Sequence, residues 1–141
     1  MTLAFEPEPG MFVDTLERFA ELDARIRHPL LQLTIDLGHL HCMGEGDIPT
    51  ILHRWGARCV NFHIEDMVPG VHDHLMFGEG TMDFVSICRA MRQIGYAKGV
   101  HVELSRHSHM AAVTSKAAMA FLNPLFRASA DQCGRRGLVG S

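Results

Sequence analysis

Apolar and polar positions along the chain change period four times, each time from a short run to a three-and-four spacing. "TLAF" (Thr2 to Phe5) is a short apolar run closed by Glu6 and a Pro-Glu-Pro-Gly turn. Phe12, Val13, Leu16, Phe19, Ala20 and Leu22 follow at helical spacing, with Asp14 or Thr15 as the starting cap. In "LLQLTIDLGH" the apolar positions Leu31, Leu33, Ile35 and Leu37 alternate as in a strand, and a Gly-containing loop is expected next. "DIPTILHRWG" reads as a short helix, with Asp47 as cap, Pro49 in the first turn and Gly56 as the stop. "RCVNFHIED" is a third strand. A long loop, "MVPGVHDHLMFGEGT", leads from it to a helix over Met82 to Ile94, stopped by Gly95. "GVHVELS" is the fourth strand. The last helix runs from Met110 to Phe121, and Asn123-Pro124 is expected to break it.

Strand, loop, helix, repeated in this order, predicts an α/β fold built from parallel βα repeats. Residues 1–126 hold all four units. The stretch from Arg127 to Ser141 has little apolar content and no period, and reads as a disordered tail.

Composition narrows the possibilities. The chain has 141 residues, 47% hydrophobic and 21% charged, with net charge −3. No basic stripe favours nucleic acid. No apolar run approaches the roughly 18 residues that a membrane helix needs, and the N-terminus has no signal-like pattern. Cys42, Cys59, Cys88 and Cys133 lack C-x-x-C pairing, which fits reduced, buried thiols in a cytoplasm. The unusual count is ten histidines.

In a parallel α/β sheet the functional groups sit at the C-terminal ends of the strands. Here those ends carry Glu6 and Glu8; Asp36 and His39; His63, Glu65 and Asp66; then Glu103, Arg106, His107 and His109. Neighbouring strands lie roughly 4.8 Å apart, so such side chains can converge. Gathered carboxylates with one imidazole would repel unless a cation sat among them. An oxygen-rich set of that kind suits Mn²⁺, Mg²⁺ or Co²⁺, with Zn²⁺ also feasible. Asp66 is a candidate to orient His63 or bind substrate. His72 lies in a long loop of the kind that carries function, and His107 is placed to line a pocket.

"LAFEP", "TIDLGH", "NFHIED" and "VHVELSRHSH", in that order, resemble the sugar-phosphate isomerase/epimerase family of the xylose isomerase-like TIM barrels. The resemblance spans Leu3 to about Phe121. It implies a divalent ion held by Glu6, Asp36, His63 and Glu103, with Glu6 preferred over Glu8 because it matches the family's L-x-x-E-P pattern. It implies that Glu6 and Glu103 act as acid and base beside a sugar carbonyl, by way of a metal-stabilised enediolate. It also implies that His39, in the D-x-x-H motif, contacts substrate.

Two departures stand out. The four units resemble strands five to eight only, a half barrel, whereas a whole barrel typically takes about 250 residues. A half barrel leaves two sheet edges open, so a homodimer or an N-terminal half is the expected partner, besides the sugar itself. Family members often carry a basic residue soon after the third strand's histidine; Val68 and Pro69 stand there, and Arg106 is the candidate substitute. Alternatives on the same superfamily are a zinc phosphodiesterase similar to endonuclease IV, a keto-sugar or inosose dehydratase, and an inactive half barrel.

Overall fold

The computed structural model describes residues 1–127. In chain order it contains β1 (Leu3–Phe5), α1 (Leu16–Ile26), β2 (Leu31–Asp36), α2 (Leu37–Met43), α3 (Ile48–Trp55), β3 (Cys59–Ile64), β4 (Asp66–Val68), β5 (Val71–Leu75), α4 (Phe84–Gln93), β6 (Gly99–Val102) and α5 (Ala111–Arg127). β1, β2, β3 and β6 form one sheet in that order, and every neighbouring pair is parallel. This is the arrangement expected of four βα units, a partial TIM barrel.

Alternation divides the sheet into two faces. Leu33, Ile35, Phe62 and Ile64 are buried against Phe19, Leu52, Ile87 and Met91 from the helices. Each such side chain contributes roughly 1.5–3 kcal/mol by leaving water. The opposite face carries Gln32, Thr34, Asn61 and His63, and His101 bonds Asn61 across the β3–β6 pair. Sheet register sets Asp36 beside His63, and His63 beside His101.

Helix starts follow the sequence. Thr15 caps α1, Asp47 caps α3 and Asp83 caps α4, each accepting a backbone N–H three residues on. Phe12 and Val13, read as part of the first helix, precede its cap, and Phe12 is fully exposed.

Three expectations are corrected. After β2 the chain forms helix α2 rather than a loop, because the Asp36 side chain caps it through the backbone N–H of His39 at 2.8 Å. The long loop after β3 begins as a hairpin, β4 against β5. Its two-residue turn is Pro69-Gly70, and Gly70 has φ +77°, as the third position of a type II turn requires. Asn123-Pro124 does not end the last helix: α5 continues to Arg127 with Pro124 inside it. Leu122 is buried, and Leu125 and Phe126 pack against the core beyond the proline. Burial of that face outweighs the backbone bond that proline forgoes. Arg127 is thus helical; the remainder of the expected tail, with Cys133, lies outside the described residues.

Asp66 is a second correction to the reading of strand ends. It is 1% exposed, and both its oxygens accept loop amides. Oδ1 accepts from Met67 and Met82 at 3.0 and 3.2 Å, and Oδ2 from Gly78 and Gly80 at 2.8 and 3.0 Å. The "GEG" stretch therefore wraps around a buried carboxylate. A Cβ on Gly80 would lie 2.3 Å from Asp66 Oδ1, which is why that residue has no side chain. Asp66 holds the loop and neither orients His63 nor faces a pocket. Asp66→Ala strands four backbone donors, those of Met67 and Met82 buried and those of Gly78 and Gly80 partly so, and is expected to cost about 3 kcal/mol in a denaturant titration. Unchanged stability with weakened substrate binding would return Asp66 to a substrate role.

Candidate metal centre

Four side chains from four successive strand ends meet at one point. His63 Nδ1 lies 2.9 Å from Glu6 Oε1, 2.7 Å from Glu103 Oε2 and 4.0 Å from Asp36 Oδ2. One donor atom from each of Glu6, Asp36, His63 and Glu103 lies within 4.8 Å of all the others. The set is the one that the family resemblance implies, with Glu6 rather than Glu8 in it. Asp36 is the fixed wall of the group: its side chain is fully buried, with Oδ1 committed to the α2 cap. Glu6 and Glu103 are 26% and 39% exposed, so the centre opens to one side.

The chemistry of these donors fits a divalent ion. Glu6 Oε1, Asp36 Oδ2 and His63 Nδ1 are each buried, and none has a well-aligned hydrogen-bond partner. Buried polar atoms are normally paired. Three orphaned atoms aimed at a common point leave a place for a positive charge. The Glu6 carboxylate, with help from Glu103 and Asp36, raises the His63 pKa above the ordinary imidazole range.

Glu65, at the end of β3, was not assigned a role from sequence, yet it adjoins the centre. It is fully buried, and neither oxygen has a hydrogen-bond partner. Burial raises its pKa far above the carboxylate range, and the nearby Asp36 carboxylate adds to this. Glu65 is thus a neutral acid at neutral pH. Its space is made by Gly38, where a Cβ would lie 1.9 Å from Glu65 Oε1. A buried carboxylate in strand register could be listed from sequence, but its protonation depends on what packs over it.

The other expected residues separate into two groups. His39 is buried beside the centre, with Nε2 3.6 Å from Asp36 Oδ2. His72, on β5, places Nε2 3.0 Å from His39 Nε2 and 3.7 Å from Glu8 Oε1. Burial, and then the neighbouring His39, lower the His72 pKa. Arg106 is turned away: it is 68% exposed and its Nε lies 2.8 Å from Asp73 Oδ1. His107 lines a separate groove with Val102, Leu104, Ser108 and Ala118, on the side where α5 packs. Neither residue reaches the centre. His74, which sequence did not place in the site, stands beside His39 and His72. The signal for it was the Pro-Gly turn: once residues 71–75 are a strand, His72 and His74 share a face.

The raised pKa of Glu65 sets a direction for stability. The folded chain keeps this proton, whereas the unfolded chain loses it above about pH 4.3. The folded state therefore binds more protons, and this group's contribution falls as pH rises from there through neutrality. Glu65→Gln, which keeps the shape and the neutrality, is expected to stabilise the metal-free protein at neutral pH by at least about 1 kcal/mol, with the gain vanishing in acid. Urea titrations at acid and neutral pH in a chelator measure this; an equal effect at both would show that Glu65 is charged in the folded state.

Comparison with known proteins gives the family. The family model described as "Xylose isomerase-like TIM barrel" matches residues 1–125. L-ribulose-5-phosphate 3-epimerase UlaE from Salmonella paratyphi C is 28% identical over 104 residues, covering 74% of this chain and 36% of that protein. The Escherichia coli O17:K52:H18 counterpart is 27% identical over the same span. Among solved structures, an L-ribulose 3-epimerase superposes with TM-score 0.75 at 17% identity, covering 99% of this chain and 52% of that one. The IolI protein, solved with a bound zinc atom, gives TM-score 0.70 at 23% identity, over 89% of this chain and 49% of that one. The chain thus spans about half the length, or less, of the proteins it matches. The match over residues 1–125 makes this chain a member of the xylose isomerase-like TIM barrel family.

Proposed function

We propose that the chain provides the metal-binding half of a sugar or sugar-phosphate epimerase or isomerase. The observation that carries this reading is the placement of Glu6 and Glu103 at the two ends of the sheet, both within 3 Å of the same His63 nitrogen. Epimerisation beside a carbonyl needs a base on one face of the carbon and an acid on the other. Two carboxylates that approach a common centre from opposite strands meet that need.

A bound Mn²⁺, Mg²⁺ or Co²⁺, or else Zn²⁺, would supply Lewis-acid stabilisation of the charge that grows on the substrate's carbonyl oxygen. Asp36 and His63 would complete its ligand set. One glutamate takes the proton from the carbon beside the carbonyl, and the other returns a proton to the opposite face. His39 stands beside Asp36 to steady a substrate oxygen. The named relatives are epimerases of L-ribulose 5-phosphate and L-ribulose, which supports a ketopentose or its phosphate as substrate. A phosphorylated sugar would place the chain in the cytoplasm, where its buried thiols Cys42, Cys59 and Cys88 stay reduced.

The remaining wall of the pocket would come from a second half barrel. β1 and β6 are the sheet's two edges, and Leu3 and Val102 on them are 63% and 39% exposed. A second copy of this chain, or a longer polypeptide, would pair with both. Among the described residues no helix is long and apolar enough to cross a membrane.

Glu103→Gln tests the reading. It keeps the side chain's size and removes the proton carrier, so turnover of L-ribulose 5-phosphate should fall by about 10²–10⁴-fold with an unchanged circular dichroism spectrum. Solvent deuterium entering the carbon beside the carbonyl, followed by NMR, is the direct readout. Full exchange in the variant would remove Glu103 from the reaction.

A further inference from the structure

The sheet ends in two unlike edges. Among the described residues, most of the large apolar side chains left exposed stand there. They include Leu3, Phe12 and Ile26 beside β1 and α1, and Val102, Met110 and Met119 beside β6 and α5. Apolar surface gathered in this way marks a contact with another chain rather than ordinary scatter.

The two edges differ in shape. At the β6 edge, small side chains on α5 leave a groove of about 340 Å³, lined by Val102, Leu104, His107, Ala111, Ser115 and Ala118. At the β1 edge, Phe12 projects from the loop ahead of α1 and is 91% exposed. One edge thus carries a socket and the other a plug. We infer that the partner of this half barrel is a second copy of the same chain, and that Phe12 of each copy fills the α5 groove of the other.

Strand direction and length agree with this pairing. A half turn about an axis along the strands puts β1 of each copy beside β6 of the other. All strands then run the same way, and the four parallel strands of each copy together give the eight of a TIM barrel. The chain covers 52% of the L-ribulose 3-epimerase chain and 49% of the IolI chain, so two copies span one such chain. Heights agree as well. Phe12 precedes the first turn of α1, and the groove follows the turn before α5 and the first turns of that helix. Both therefore lie toward the C-terminal ends of the strands. A separate half barrel would have to bring its own plug and its own socket; this chain holds both, and two-fold symmetry forms each contact twice.

The pairing reaches the four-ligand centre. The groove begins at Leu104, next to Glu103, so Phe12 of the second copy braces the turn behind that glutamate. Closure also sets two four-ligand centres at one mouth, each facing the polar inner face of the other copy. The bearing on catalysis rests on the sugar reading proposed above, whereas the assembly rests on the fold alone.

Sedimentation of the full chain decides it. At micromolar concentration the expected mass is twice that of one chain. Phe12→Asp, and Ser115→Trp, which fills the groove from an exposed position, should each weaken association at least about 100-fold, because each change is felt at both seams. Circular dichroism checks that both variants keep the fold. Phe12→Cys combined with Ser115→Cys should give, on oxidation, a covalent dimer that neither change gives alone. A monomer in the unaltered chain would overturn the assembly and leave a separate half barrel as the occupant of both edges. A dimer that Phe12→Asp and Ser115→Trp both leave intact would overturn it too. A dimer that these changes split, but that has no epimerase activity, would uphold the assembly and count against the sugar reading alone.

Discussion

Asp36 is the constraint on which the rest of the site depends. Its side chain is buried, with one oxygen capping α2 and the other left without a hydrogen-bond partner. The cap fixes the first turn of the helix and so delivers His39 to the centre. The free oxygen faces His63 on one side and His39 on the other. A buried carboxylate cannot be held like this at low cost without a compensating positive charge. One position thus ties local folding to electrostatics: the D-x-x-H motif is at once a helix start and one corner of the four-residue cluster.

The protonation of the neighbours follows from that charge. Glu65 packs against Asp36 in a space that only a glycine at position 38 leaves open, and it keeps its proton. His63 faces three carboxylates, and they raise its affinity for a proton, Glu6 most of all. A bound cation would act on the two groups in the same sense, lowering the proton affinity of both. Burial is the larger reason that Glu65 keeps its proton, and the Asp36 carboxylate adds to it.

The parts of this site legible in sequence were those governed by a single element. Strand ends announce themselves by an apolar run that stops at an acid or a histidine, and the resemblance to the family picks Glu6, Asp36, His63 and Glu103 out of the polar residues there. The parts missed needed two elements at once. Helix α2 hides inside a strand-like alternation because Leu37 continues the period of Leu31, Leu33 and Ile35; only the capping bond from Asp36 reveals the change. The β4–β5 hairpin was read as loop despite Pro69-Gly70, and with it His74 was left aside. Asp66 looked like chemistry because it lies two residues past the strand; its four backbone amides come from positions up to sixteen residues away. Arg106 and His107 follow Glu103 in sequence, but the helical turn after β6 points them to Asp73 and to α5 instead.

The inner face of the sheet bears on how a half barrel can exist at all. A barrel interior is usually packed with branched apolar side chains. Here that face carries Gln32, Thr34, Asn61 and His101, which tolerate water. The edge strands do leave apolar side chains open, Leu3 on β1 and Val102 on β6. Exposure of the inner face is therefore cheap, whereas each edge strand offers unpaired amides and carbonyls flanked by apolar side chains. The force that would close the structure acts at the seams rather than in the centre. A closing half need only supply two parallel edge strands to complete the sheet. The open centre, with its carboxylates and histidines, would then be shielded from bulk water, which strengthens every charge interaction within it.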